Sequence, residues 1–138
     1  MSLILSCVVD RAPKFLTQAE TLLTSLRAAG FVADAENRIL VHVVDQPADD
    51  PRFDPLRRLG AEIRPVAAFG EGPAAWSNKL RQLETPEIRA ARRVILCDAD
   101  LLVLADPRRF FDEAPVRAKI VDRANPPAPL LAQLWAAA

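Results

Sequence analysis

The sequence predicts an α/β fold, a Rossmann-like, mostly parallel sheet flanked by helices. Two observations carry that expectation. Leu3 to Val9 is apolar at nearly every position, the pattern of a strand covered on both faces, as parallel strands are. Strand-like runs then alternate with segments whose apolar residues fall at helical spacing, which implies crossover connections and helices on the sheet's faces.

After the first strand and a short loop containing Pro13, residues 14–29 set Phe15, Leu16, Ala19, Leu22, Leu23 and Leu26 on one helical stripe, with Gly30 as a C-terminal stop. Arg38 to Val44 is a second strand, followed by the polar, proline-rich loop "DQPADDPRFDP". "PLRRLG" reads as a short helix ended by Gly60, and "AEIRPV" as a third strand. "GEGP", Gly70 to Pro73, marks a loop. Ala75 to Leu83 has Trp76, Leu80 and Leu83 at helical spacing, with Ser77 placed to cap its start. Thr85 and Pro86 begin another short helix, with Glu87 in its first turn where the helix dipole favours negative charge. Arg93 to Cys97 is a fourth strand, Asp106 and Pro107 start a brief turn through Phe111, and Val116 to Asp122 is a fifth strand. "NPPAP" is a stiff linker, and the closing "LLAQLWAAA" is helical in pattern.

At 138 residues the chain is expected to be a single domain, residues 1–138. Its 18 basic and 18 acidic residues are interspersed and cancel, so nothing marks a nucleic-acid or anionic-membrane partner. The apolar start "MSLILSCVV" is too short to span a bilayer, lacks a positive leader and is closed by Asp10, so no membrane span is expected. Cys7 and Cys97 lie inside strand-like runs rather than at disulfide or zinc spacing, which favours reduced thiols and a cytoplasmic location. With His42 as the one histidine, placed mid-strand and read as structural, any metal must be a hard ion on oxygen ligands.

In open parallel sheets ligands bind beyond the carboxyl ends of the strands, where Asp10, Asp45 and Asp98 fall. Asp98 and Asp100 stand two residues apart in "VILCDADLLVLADP"; on extended backbone they would point to one side and repel each other unless a cation intervened. Mg²⁺ or Mn²⁺, completed by diphosphate oxygens, would resolve that repulsion. The plainer alternative is a turn cap at Asp98 and a solvated Asp100. A Walker A loop and a G-x-G-x-x-G loop are both missing, which excludes P-loop ATPases and argues against a dinucleotide site. No serine or cysteine has a plausible histidine base, so triad hydrolysis is unsupported.

"VILCDADLLVLADPRRFF" resembles the D-x-D region of GT-A fold glycosyltransferases, above all the glycogenin-like (family 8) nucleotide-sugar transferases. In that family an apolar strand runs into Asp-x-Asp. A second apolar run, an Asp or Asn and a short helix with aromatic or leucine residues then follow; here these are Leu101 to Leu104, Asp106 and Phe110 to Phe111. The upstream "NKLRQL" looks like the family's Lys-Leu helix. Pyrophosphorylases share the general fold but carry a glycine-rich loop after the first strand. Haloacid-dehalogenase-type phosphatases place their Asp-x-Asp after the first strand.

The resemblance implies a metal-dependent transfer of a sugar from a nucleoside diphosphate sugar, a UDP-sugar by analogy, to an unknown acceptor. Asp98 and Asp100 would hold Mn²⁺ or Mg²⁺ and the diphosphate, and Lys79 would approach the donor. Val8, Asp10 and Phe15 would stand where the family contacts the nucleoside. Lys79 is equally readable as a solvated lysine, and Phe15 as core. The likeness covers the family's donor-binding part; its C-terminal acceptor half, with the histidine that completes the metal, is expected to be absent. That leaves a second expectation, a truncated or degenerate GT-A domain that binds nucleotide or a partner without catalysis. An incomplete sheet would leave an open edge that a second copy of the chain could cover.

Overall fold

The structure, a computed structural model, describes residues 3–70 and 72–111. Four strands form one parallel sheet: β1 (Leu3–Val9), β2 (Asn37–Val44), β3 (Ala61–Val66) and β4 (Arg93–Leu96), in the order β3-β2-β1-β4. Three α-helices connect them: α1 (Pro13–Ala28), α2 (Asp54–Arg58) and α3 (Pro86–Ala90). The expected fifth strand at Val116 to Asp122, the linker and the terminal helix lie outside the described residues.

β1 is central because it is apolar almost throughout and so tolerates a neighbour on each edge and a layer on each face. It pairs with β2 from Leu3↔Asn37 to Val9↔Val43 and with β4 from Leu3↔Arg93 to Ser6↔Leu96. The register sorts the side chains by parity. Leu3, Leu5, Cys7, Val9, Ile39, Val41, Val43 and Ile63 share one face with Leu22, Leu23 and Leu26 of α1 and Leu56 of α2 in a single buried apolar cluster. Pro13 opens α1 itself, one residue ahead of the expected start, at a position where its missing N–H costs nothing.

The opposite face is different in kind. Ile4, Leu40 and Ile88 form only a small apolar cluster there, and beside it Ser6, His42, Gln82 and Thr85 are buried together. Ser6 donates its hydroxyl proton to Gln82 Oε1 at 2.7 Å. With that proton committed, the 3.2 Å contact to Ser6 Oγ must come from His42 Nδ1–H. His42 Nε2 then accepts from the Thr85 hydroxyl at 2.7 Å. The imidazole is therefore neutral with its proton on Nδ1, the structural histidine the sequence suggested. Beyond it, Arg38 grips Glu62 through two bonds at 2.7 and 2.8 Å, and Arg64 bridges Glu62 and Glu87, which ties α3 to β3.

This polar face corrects one expectation. Gly72–Glu84 is a 3₁₀ segment rather than an α-helix over Ala75 to Leu83, and Ser77 lies inside it rather than at its start. Leu80 and Leu83, set at helical spacing in the sequence, are exposed, while Asn78 and Gln82 are buried. The segment turns amides inward because polar partners wait there: Ser6 for Gln82, and Asp10 with the Phe69 N–H for Asn78. A 3₁₀ run this long is unusual and sets side chains three apart on one ridge.

Gly30 and Gly60 both adopt φ +91°, the left-handed region that ends α1 and the α2 turn. A Cβ at Gly30 would meet nothing within 4 Å, whereas one at Gly60 would stand 2.8 Å from Ala33 Cβ. Urea unfolding should therefore show Gly30→Ala costing about 1 kcal/mol from backbone strain alone, and Gly60→Ala clearly more.

Burial holds the His42 pKa below its ordinary value. The unfolded chain then takes up a proton that the native state refuses, so stability falls as pH drops below about 6.5 towards the lowered native value. Denaturant midpoints measured between pH 7.5 and 5.5 should decline, and the decline should be much shallower in His42→Asn, a variant less stable throughout.

Candidate functional site

The chain runs β1, β2, β3 in one direction across the sheet and then returns to lay β4 against the other edge of β1. The crevice between β1 and β4 at their carboxyl ends is thus the topological switch point, where such sheets bind ligands. β4 pairs with β1, so the chain segments that carry Asp10 and Asp98 leave the carboxyl ends of neighbouring strands.

Cys97 N still donates to Ser6 O at 2.9 Å, after which the chain leaves the strand. Ala99 and Asp100 lie in a turn, so the extended backbone expected to align Asp98 with Asp100 is not present. Ala99 is buried in the α1-side core and Val103 N donates to Ser25 Oγ at 2.9 Å, which pulls the chain down over α1. A turn that buries the alanine leaves the aspartates on both sides of it exposed. The apolar run Leu101 to Leu104 forms no strand, and Leu104 is 86% exposed.

Two consecutive residues of the 3₁₀ segment link both banks of the crevice. Asn78 is buried; its Nδ2 donates to Asp10 Oδ2 at 2.9 Å and its Oδ1 accepts from Phe69 N at 2.7 Å. Lys79 is exposed, with Nζ 3.1 Å from Asp98 Oδ1. The other oxygen of Asp10 accepts from Arg11 N at 2.7 Å. Asp45, at the end of β2, adopts φ +48°. It is held there by donation from its N to Val66 O, by Ala68 N on Oδ1 and by Arg11 Nη2 on Oδ2 at 2.8 Å.

Of the other residues singled out in the sequence, Val8 is half-buried beside His42 in the register. Phe15 packs against the α1-side core, with Lys14 Nζ 4.9 Å from its ring centroid. Both cysteines are free thiols; burial pushes Cys97 up to about 12 and raises Cys7 further, so neither is a ready nucleophile. Asn78 was not singled out because its partners lie 68 and 9 residues away along the chain, and a lone asparagine carries no local signal.

Among the described residues, no group of three or more His, Cys, Asp or Glu side chains is gathered as a metal cage. Two exposed carboxylates are instead a hard donor set of the kind that leaves most of an octahedral shell to water and phosphate, the habit of Mg²⁺ and Mn²⁺. A cleft of about 190 Å³ adjoins Asp100, lined also by Thr17, Gln18, Thr21, Leu101 and Leu102. A larger cleft of about 480 Å³ opens at the carboxyl end of β3, between Arg64, Val66, Arg81, Thr85 and Glu87. Its arginines are engaged by glutamates, so it offers little net charge to a ligand.

No family model matches the chain, and no curated protein matches it. No helix among the described residues is long and apolar enough to cross a membrane.

The two linking residues differ in burial and should differ in consequence. Asn78→Ala, which strips a buried amide from Asp10 and from Phe69 N–H, should lower the unfolding free energy by about 1–2 kcal/mol. Lys79→Ala breaks an exposed ion pair and should change stability by less than about 0.5 kcal/mol. Urea denaturation of both variants at neutral pH measures this.

Proposed function

We propose that the chain is a GT-A-type, metal-dependent glycosyltransferase or its donor-binding portion, taking a sugar from a nucleoside diphosphate sugar to an acceptor. The observation that carries this is the meeting of Lys79 with Asp98 at the mouth of the β1–β4 switch point, 3.1 Å apart, with Asp100 on the same turn. Asp98 and Asp100 would hold Mn²⁺ or Mg²⁺ there. The ion supplies Lewis-acid stabilisation to the leaving diphosphate when bound. Lys79 adds a mobile ammonium beside it, a point charge suited to a phosphate whose charge grows as the glycosidic bond breaks. Asp10 and Val8, at the end of β1, would contact the nucleoside. A UDP-sugar is the donor favoured by the D-x-D resemblance, and the buried thiols suit a reducing, cytoplasmic setting.

A second reading is a domain of the same descent that binds nucleotide or a partner protein without transfer. It is favoured by the exposure of Leu96, Leu101, Leu102 and Leu104 along β4 and the turn after it, an apolar surface of the kind that a second chain covers.

Calorimetric titration of the full chain separates these readings. Under the enzyme reading UDP binds only with Mn²⁺ present, Asp98→Asn weakens it at least about tenfold, and a UDP-sugar is slowly hydrolysed or transferred. Metal-dependent binding without turnover selects the second reading. Failure of every nucleoside diphosphate to bind, with or without Mn²⁺, overturns the enzyme reading and the nucleotide-binding form of the second, and leaves only the binding of a partner protein.

A further inference from the structure

Phe69 is a large aromatic residue left 48% exposed at the carboxyl end of the sheet, yet its surroundings hold it in place. Its own N–H is bound by Asn78 Oδ1 at 2.7 Å and the preceding Ala68 N–H by Asp45 Oδ1 at 2.9 Å. The Ala68 carbonyl accepts from Arg81 Nη2 at 3.3 Å. The same guanidinium lies over the Phe69 ring, 4.8 Å from its centroid. Three side chains from β2's end and the 3₁₀ segment are thus spent on fixing two residues of a loop. An exposed apolar ring gains nothing for the core from that fixation.

A ring so held is a preformed stacking surface. Binding to it incurs little ordering cost, because the guanidinium on one side already fixes the ring. Asn78 connects it to the crevice: the same amide that fixes Phe69 also holds Asp10, and the next residue, Lys79, reaches Asp98. We infer that Phe69 is the platform on which the base of a nucleoside diphosphate stacks, with Asn78 as the positioning residue that sets the ring relative to the diphosphate end of the site. The inference rests on the donor-site reading and assigns the aromatic contact to the loop after β3. Phe15, the aromatic expected from the sequence, is committed to the α1-side core. Because every base has a π-face, Phe69 contributes affinity for nucleotides as a class rather than selection among bases.

The test compares UDP with inorganic diphosphate, each with Mn²⁺, on the full chain and on Phe69→Ala, Phe69→Trp and Asn78→Ser, with thermal midpoints confirming that each variant is folded. Phe69→Ala should weaken UDP about tenfold or more and leave diphosphate within about twofold. Phe69→Trp should keep UDP affinity and report it through quenching of the new indole. Asn78→Ser should weaken UDP but not diphosphate. If Phe69→Ala leaves UDP unchanged, or weakens UDP and diphosphate alike, the stacking role is overturned while the donor site stands. If the wild-type chain binds neither ligand, the donor-site reading fails and the inference falls with it.

Discussion

The pairing of β4 against the free edge of β1 is the contact on which the rest of the arrangement depends. Without it the sheet is a plain β1-β2-β3 progression with no reversal of direction and no crevice at its end. The pairing is short, Leu3↔Arg93 to Ser6↔Leu96, with one further bond from Cys97 N to Ser6 O. It ends there because the α1-side core claims Ala99. One buried alanine thereby stops the strand and turns the flanking aspartates outward.

The two faces of the sheet divide the work. The α1 side carries most of the buried apolar surface and is the source of stability. The other side carries a neutral histidine, a serine, a threonine and a glutamine whose donors and acceptors are matched in one sequence. Such a network is exacting, because a single mismatch leaves a polar group buried without a partner. Its effect is to seat the 3₁₀ segment in one position on the sheet. Asn78 and Lys79 are carried by that segment, so the His42 network sets the location of groups it does not touch.

Much of the fold was legible in the sequence because apolar patterning dominates where both faces are packed. β1 and β3 have the predicted bounds, and β2 and α1 each begin one residue earlier than expected. The failures share one cause. The helical spacing of Leu80 and Leu83 suggested an α-helix, but the sheet face beneath the segment is polar, and that property belongs to Ser6 and His42 far away in the chain. The strand was likewise expected to run straight into Asp98 and Asp100, since nothing local reveals that Ala99 is needed by a core 80 residues earlier, around Ala19. At the site, carboxylates and a lysine at strand ends can be read from type and position, whereas Asn78 and Phe69 matter only through partners that folding brings to them.

The central claim is that the β1–β4 crevice binds a nucleoside diphosphate through a metal ion at Asp98 and Asp100. A crystal structure of the chain grown with Mn²⁺ and UDP tests it most directly, using the anomalous signal of manganese. The account predicts a manganese peak bridging the Asp98–Asp100 turn and the diphosphate, with Lys79 on a phosphate oxygen. UDP seated instead in the cleft between Arg64 and Glu87, or manganese bound away from both aspartates, would contradict it.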